Sequence, residues 1–167
     1  RWTCDGNSQQ RYQFIPVSIA GGAKLPMGRY TLVSLNSGKC LDVAAASTAD
    51  GANVQQYTCN GTGAQAFDLS VESKYYHLVN ANSGKSVDVL GSGTTDGTNV
   101  DQWTTYPADN QRFTFTSQGS GEYAIVGKGS GKCIDGAGQS TSDRANVEIW
   151  TCSGQGSQSW SLKPSSN

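Results

Sequence analysis

The sequence predicts an all-β chain assembled from three repeated units, on three observations. Hydrophobic residues are only 35% of the 167 positions while glycine takes 21 of them, a profile of short strands and tight turns around a modest core. No window keeps a 3.6-residue apolar period over a helix length, whereas Leu41-Asp42-Val43 and Val87-Asp88-Val89 alternate as strands do. The third observation is self-similarity at a fixed period, the mark of repeat architectures.

Each unit opens on Tyr30, Tyr76 or Tyr123, with the glycine of a Ser-Gly-Lys triplet eight residues on, at Gly38, Gly84 and Gly131. Then come Asp42, Asp88 and Asp135, followed by Asp50, Asp96 and Asp143. Asn53-Val54, Asn99-Val100 and Asn146-Val147 lead into the aromatics Tyr57, Trp103 and Trp150, and each unit closes on Gln65-x-Phe67, Gln111-x-Phe113 or Gln158-x-Trp160. The period is 46 residues from the first unit to the second and 47 from the second to the third, the extra residue falling between Gln111 and Tyr123. Short strands in a unit of this length cannot bury their own apolar face, so three units must close around one core. Propeller blades run to ~40–45 residues, but a propeller needs about four or more of them. Three units therefore point to a β-trefoil over 28–167, with repeats at 28–73, 74–120 and 121–163. Phe67, Phe113 and Trp160 are expected in its three-fold core. Asp50, Asp96 and Asp143 are expected to brace their turns through backbone N–H groups.

Charge narrows the partners. Twelve Lys and Arg stand against 13 Asp and Glu, so no basic field exists to collect phosphates, and neither nucleic acid nor membrane insertion is expected. No apolar run approaches the roughly 18–20 residues of a membrane-spanning helix. No charged-then-apolar leader opens the chain at Arg1, which reads as a mature or excised piece.

Cys40 and Cys59 are 19 residues apart, as are Cys133 and Cys152 at the same repeat positions, and the middle unit replaces both together with Ser86 and Thr105. Joint presence and joint loss predict the disulfides Cys40–Cys59 and Cys133–Cys152, each closing a loop worth about 3 kcal/mol, in a secreted, extracellular setting. A zinc site lacks any C-x-x-C and has only His77 to call on, so no metal and no cofactor is expected. Residues 1–14 repeat the close of a unit: Trp2, Cys4 and Gln10-x-Tyr12 keep the spacing of Trp150, Cys152 and Gln158-x-Trp160. They read as the remnant of a preceding repeat, or as an extra strand, with Cys4 unpaired and 15–27 a linker.

Strand parity suggests a site. In Asn53-Val54-Gln55-Gln56-Tyr57, Val54 and Gln56 share one face and Gln55 and Tyr57 the other; the same parity sets Asp101 beside Trp103 and Glu148 beside Trp150. Asp42, Asp88 and Asp135 sit mid-strand, where Asp is disfavoured unless something compensates. A flat aromatic matches the C–H face of a sugar ring, and carboxylates or amides beside it match the hydroxyls.

The Cys-Leu-Asp-Val segment, the aromatic fifteen residues after that Asp and the closing Gln-x-aromatic together resemble the ricin B-type lectins, also called family-13 carbohydrate-binding modules. The resemblance covers 28–163 and the stretch 1–14. It implies a trefoil of twelve strands with up to three sugar pockets, and a ligand set that falls most completely on the second unit: Asp88, Asp101, Trp103, Asn110 and Gln111. The first unit offers Asp42, Gln55, Tyr57 and Gln65, with Ala64 in place of the Asn. The third offers Asp135, Glu148, Trp150 and Gln158, with Ser157 in place of the Asn. The implied partner is a glycan or polysaccharide, galactose-containing or xylan. The module would be non-catalytic, attached to a catalytic domain or to a second trefoil. A polysaccharide hydrolase and a protease-inhibitor or protein-binding trefoil are the alternatives. Against an enzyme, at least eight of the 13 carboxylates are repeat equivalents whereas a catalytic pair is unique, and His77, the single histidine, is expected to be an exposed strand residue.

Overall fold

A computed structural model describes residues 22–166. The first unit contributes β1 (Arg29–Ser34), β2 (Cys40–Val43), β3 (Ala52–Tyr57) and β4 (Phe67–Glu72). The second contributes β5 (Tyr75–Asn80), β6 (Ser86–Val89), β7 (Thr98–Trp103) and β8 (Phe113–Gly119), and the third β9 (Glu122–Gly127), β10 (Cys133–Gly136), β11 (Val147–Trp150) and β12 (Trp160–Pro164). Six of these close a ring in the order β1, β4, β5, β8, β9, β12 and back to β1, every pairing antiparallel. Closure leaves this barrel no free edge. The hairpins β2–β3, β6–β7 and β10–β11 cap one end of it, and β7 pairs with both β3 and β11. This is the β-trefoil.

Phe67, Phe113 and Trp160 are fully buried, with Leu32, Phe115 and Ile125, and the Trp160 indole N–H donates to the Ile134 carbonyl at 3.2 Å. Val54, Val100 and Val147 are wholly buried beneath the cap. On the three-fold axis the repeated asparagines form a closed ring: Asn53 Nδ2 donates to Asn146 Oδ1 (3.0 Å), Asn146 to Asn99 (2.8 Å) and Asn99 to Asn53 (2.9 Å). The extra residue of the longer period becomes a β-bulge between Ser117 and Gly119, inside β8.

Both disulfides are present, each with Cα atoms 5.1 Å apart. In the middle unit the hydroxyls of Ser86 and Thr105 meet at 2.7 Å, so a hydrogen bond stands where the other units have a covalent one.

Two expectations are corrected. Asp50, Asp96 and Asp143 do accept backbone N–H bonds, but from the next unit rather than from their own turns. Asp50 takes Thr104 N–H, Asp96 takes Thr151 N–H and Asp143 takes Thr58 N–H, each at 2.7 Å. The same carboxylates pair with Lys85, Lys132 and Lys39 of the Ser-Gly-Lys triplets, so the repeated aspartate is a clasp between neighbouring units. His77 is buried, not exposed: it lies opposite Ser70 in the β4–β5 ladder, with Nε2 2.8 Å from Glu72, which Arg112 also grips. The Cys4 expectation, residues 1–14 and residues 15–21 fall outside the described residues. Residues 22–27 of the stretch read as linker run against the barrel. Ala23 N–H donates to Phe115 O, and the buried Leu25 donates its N–H to the Tyr76 hydroxyl at 2.8 Å.

Candidate functional site

The cap hairpins build the site by register. Asp42 lies directly across from Gln55, Asp88 from Asp101 and Asp135 from Glu148, and cross-strand partners share a face. Two residues on along the same face come Tyr57, Trp103 and Trp150, the two indoles 42% and 44% exposed. The parity argument thus places an aromatic beside a polar pair in every unit.

The closing glutamines lie beneath. Gln65, Gln111 and Gln158 are buried; each Nε2 donates to the aspartate of its own unit and to a threonine carbonyl, and each Oε1 accepts a backbone N–H. All their amide hydrogens are engaged inside the protein, which makes these glutamines the posts that aim the aspartates.

Electrostatics differ among the units. Burial, ahead of every other influence, lifts the carboxyls of Asp42 and Asp88 above the usual aspartate range. Asp101 is pushed up to about 6, first by burial and then by the facing charge of Asp88, and its Oδ1 has no hydrogen-bond partner. Glu148 is raised by burial, then by Asp135. In the first unit an amide stands in that position, and Gln55 Nε2 donates to Asp42 at 2.9 Å.

Open hollows lie over the first and third units. The first, about 480 Å³, is lined by Asp42, Gln55, Tyr57, Asn60, Ala64 and Arg144 among others. The third, about 390 Å³, is lined by Asp135, Glu148, Trp150, Ser153, Gln155 and Gln158 among others. In the second unit Tyr106 takes the repeat position of Asn60 and Ser153, and its ring reaches into the site. Asn110 Nδ2 donates to both Asp88 oxygens at 3.0 Å, and the Tyr106 hydroxyl lies 3.0 Å from Asn110 Nδ2, 3.2 Å from Asn110 Oδ1 and 3.5 Å from Asp88 Oδ2. Asp88, Asn110 and Tyr106 therefore engage one another, while Asp101 Oδ1 is left without a partner. Sequence reasoning overlooked Tyr106 and Arg144, although both break the three-fold pattern at aligned positions and could have been found there.

The profile of the ricin-type β-trefoil lectin domain-like family matches residues 8–103 and 109–167. The chain belongs to this family. Among solved structures, this lectin-family chain is similar to the designed three-fold symmetric protein ThreeFoil, at 45% identity and a TM-score of 0.79 over 81% of this chain and 97% of that one. It is also similar to 1,3Gal43A, an exo-β-1,3-galactanase from Clostridium thermocellum, at 37% identity and a TM-score of 0.80. That match covers 82% of this chain but only 30% of the galactanase. The Rhizoctonia solani agglutinin shares the fold at 24% identity and a TM-score of 0.77, over 84% of this chain and 97% of that one. No curated protein matches the chain.

Proposed function

We propose that this lectin-family domain is a secreted, non-catalytic module that binds sugar units of a galactose-containing glycan or xylan at several sites. One observation carries the reading: in every unit an aromatic stands on the same face as a cross-strand polar pair, the complement of a sugar's C–H face and hydroxyls. Asp135, Glu148 and Trp150 form the leading site, above Gln158. Asp42, Gln55 and Tyr57 form a second, above Gln65, and Asp88, Asp101, Trp103 and Asn110 a third that opens only when Tyr106 swings out. The two disulfides favour an oxidising compartment. The likeness to under a third of a galactanase chain favours attachment to a catalytic domain, with a second trefoil as the alternative neighbour.

Isothermal titration against galactose, lactose, xylo-oligosaccharides and the matching polymers tests this. Single sugars should bind near the millimolar level, about −4 kcal/mol, and the right polymer roughly 10²–10⁴ more tightly through linked engagement. Tyr106→Asn should add one site to the stoichiometry. Absence of heat with every sugar, and of retention on the polymers, would refute the reading. Reducing-sugar release from galactan, xylan or arabinan, abolished by one carboxylate substitution, would establish a hydrolase instead.

A further inference from the structure

The three sites are not electrically alike. The left-handed turn residue of one unit lies beside the aromatic of the next: a Cβ on Gly51 would stand 3.6 Å from the Trp103 ring, and one on Gly97 3.8 Å from the Trp150 ring. At the equivalent place beside Tyr57 stands Arg144, at φ 66°, lining the first hollow. Glycine adopts that backbone region freely and arginine does so at a cost, so the exception sits where the side chain meets a site. Among the described residues the Arg144 guanidinium takes part in no ion pair. The neighbouring carboxylate, Asp143, is held by Lys39 at 2.7 Å. A second difference points the same way. The second and third sites each carry two carboxylates, Asp88 with Asp101 and Asp135 with Glu148, whereas the first pairs Asp42 with the neutral Gln55. An anionic sugar is repelled by the second and third sites and met at the first by the Arg144 guanidinium.

Resting on the sugar-binding reading above, we propose that the first hollow is specific for an acidic sugar unit, a uronate whose carboxylate is received by Arg144 while its ring lies on Tyr57. A planar guanidinium can take a carboxylate through two parallel N–H donors. The test is a site-resolved NMR titration with galactose, galacturonate and galactose 6-sulfate, following amides around Tyr57 and the Trp103 and Trp150 indole N–H signals. Galacturonate should bind at the Tyr57 site at least tenfold more tightly than galactose and move the indole signals less than galactose does. The preference should shrink at high salt. Arg144→Gly, the residue of the other two units, and Arg144→Gln should bring the galacturonate-to-galactose ratio at this site to about one, with a melting temperature unchanged in the Gln variant and raised or unchanged in the Gly variant, which relieves the left-handed backbone. A ratio near one in the wild-type protein, or one unaltered by both substitutions, would overturn the assignment. Tighter binding of the sulfate than of the uronate would overturn the carboxylate choice. If neither neutral nor acidic sugar moves any of the three sites, the sugar-binding reading itself falls.

Discussion

Asp88 and Asp101 oppose each other across β6–β7, with the Asp101 carboxyl pushed up to about 6 by burial and the like charge. A raised carboxyl pKa means the folded chain holds a proton that the unfolded chain has released, at about 3.9 in the unfolded reference, so this pair lowers stability progressively from about pH 4 to pH 6 and fully above that. Asp101→Asn should therefore raise the melting temperature at pH 7 and leave it nearly unchanged at pH 4; a shift that is equal at both pH values would assign the effect to something other than charge. A neighbouring contrast separates platform from core. Trp150 is 44% exposed and Trp160 fully buried. Trp150→Ala should remove binding at the third hollow with little change in melting, and Trp160→Ala should cost about 3–5 kcal/mol as a core deletion. Denaturant unfolding beside binding isotherms distinguishes the two.

Each cap hairpin is pinned to the strand exit 19 residues away, by a disulfide in two units and by the Ser86–Thr105 hydrogen bond in the middle one. The positions are equivalent and the hydroxyls already touch, so Ser86→Cys with Thr105→Cys should form a third bridge. A loop of this size is worth up to about 3 kcal/mol in the chain-entropy model. Thiol titration together with melts under oxidising and reducing conditions would show it as a gain that reductant removes. Free thiols in the folded oxidised protein would show that the middle hairpin does not share the geometry of its neighbours.

Across the molecule, what joins the units is cyclic. The Asp50, Asp96 and Asp143 clasps each reach forward one unit, and the Asn53, Asn99 and Asn146 ring closes on the axis. Breaking the ring anywhere leaves one donor and one acceptor unpaired, at about 1–3 kcal/mol. Asn99→Ala should thus cost the same as Asn53→Ala or Asn146→Ala. The triple substitution should cost clearly less than three times one of them, since residues in one network are not additive. Strict additivity in chemical denaturation would mean that the three asparagines act separately.

The sequence by itself determined whatever depends on neighbours along the chain. Strand parity put Tyr57, Trp103 and Trp150 on the faces of Gln55, Asp101 and Glu148, the shared spacing of the cysteines paired them, and the three-fold period required the trefoil with Phe67, Phe113 and Trp160 at its centre. Tertiary structure decided what depends on which units meet. The repeated aspartates read as turn braces because their N–H partners lie 54, 55 and 85 residues away, beyond any local pattern. His77 reads as an exposed strand residue, yet it is buried and meets Glu72, whose other partner, Arg112, lies 40 residues along the chain. Tyr106 and Arg144 were visible as breaks in the repeat, but only packing shows that one reaches Asp88 and the other enters the hollow of Tyr57. The physical reason is common to all of these: period and parity are properties of a strand, whereas a site at a junction between units takes its shape and charge from residues that closure of the barrel brings together.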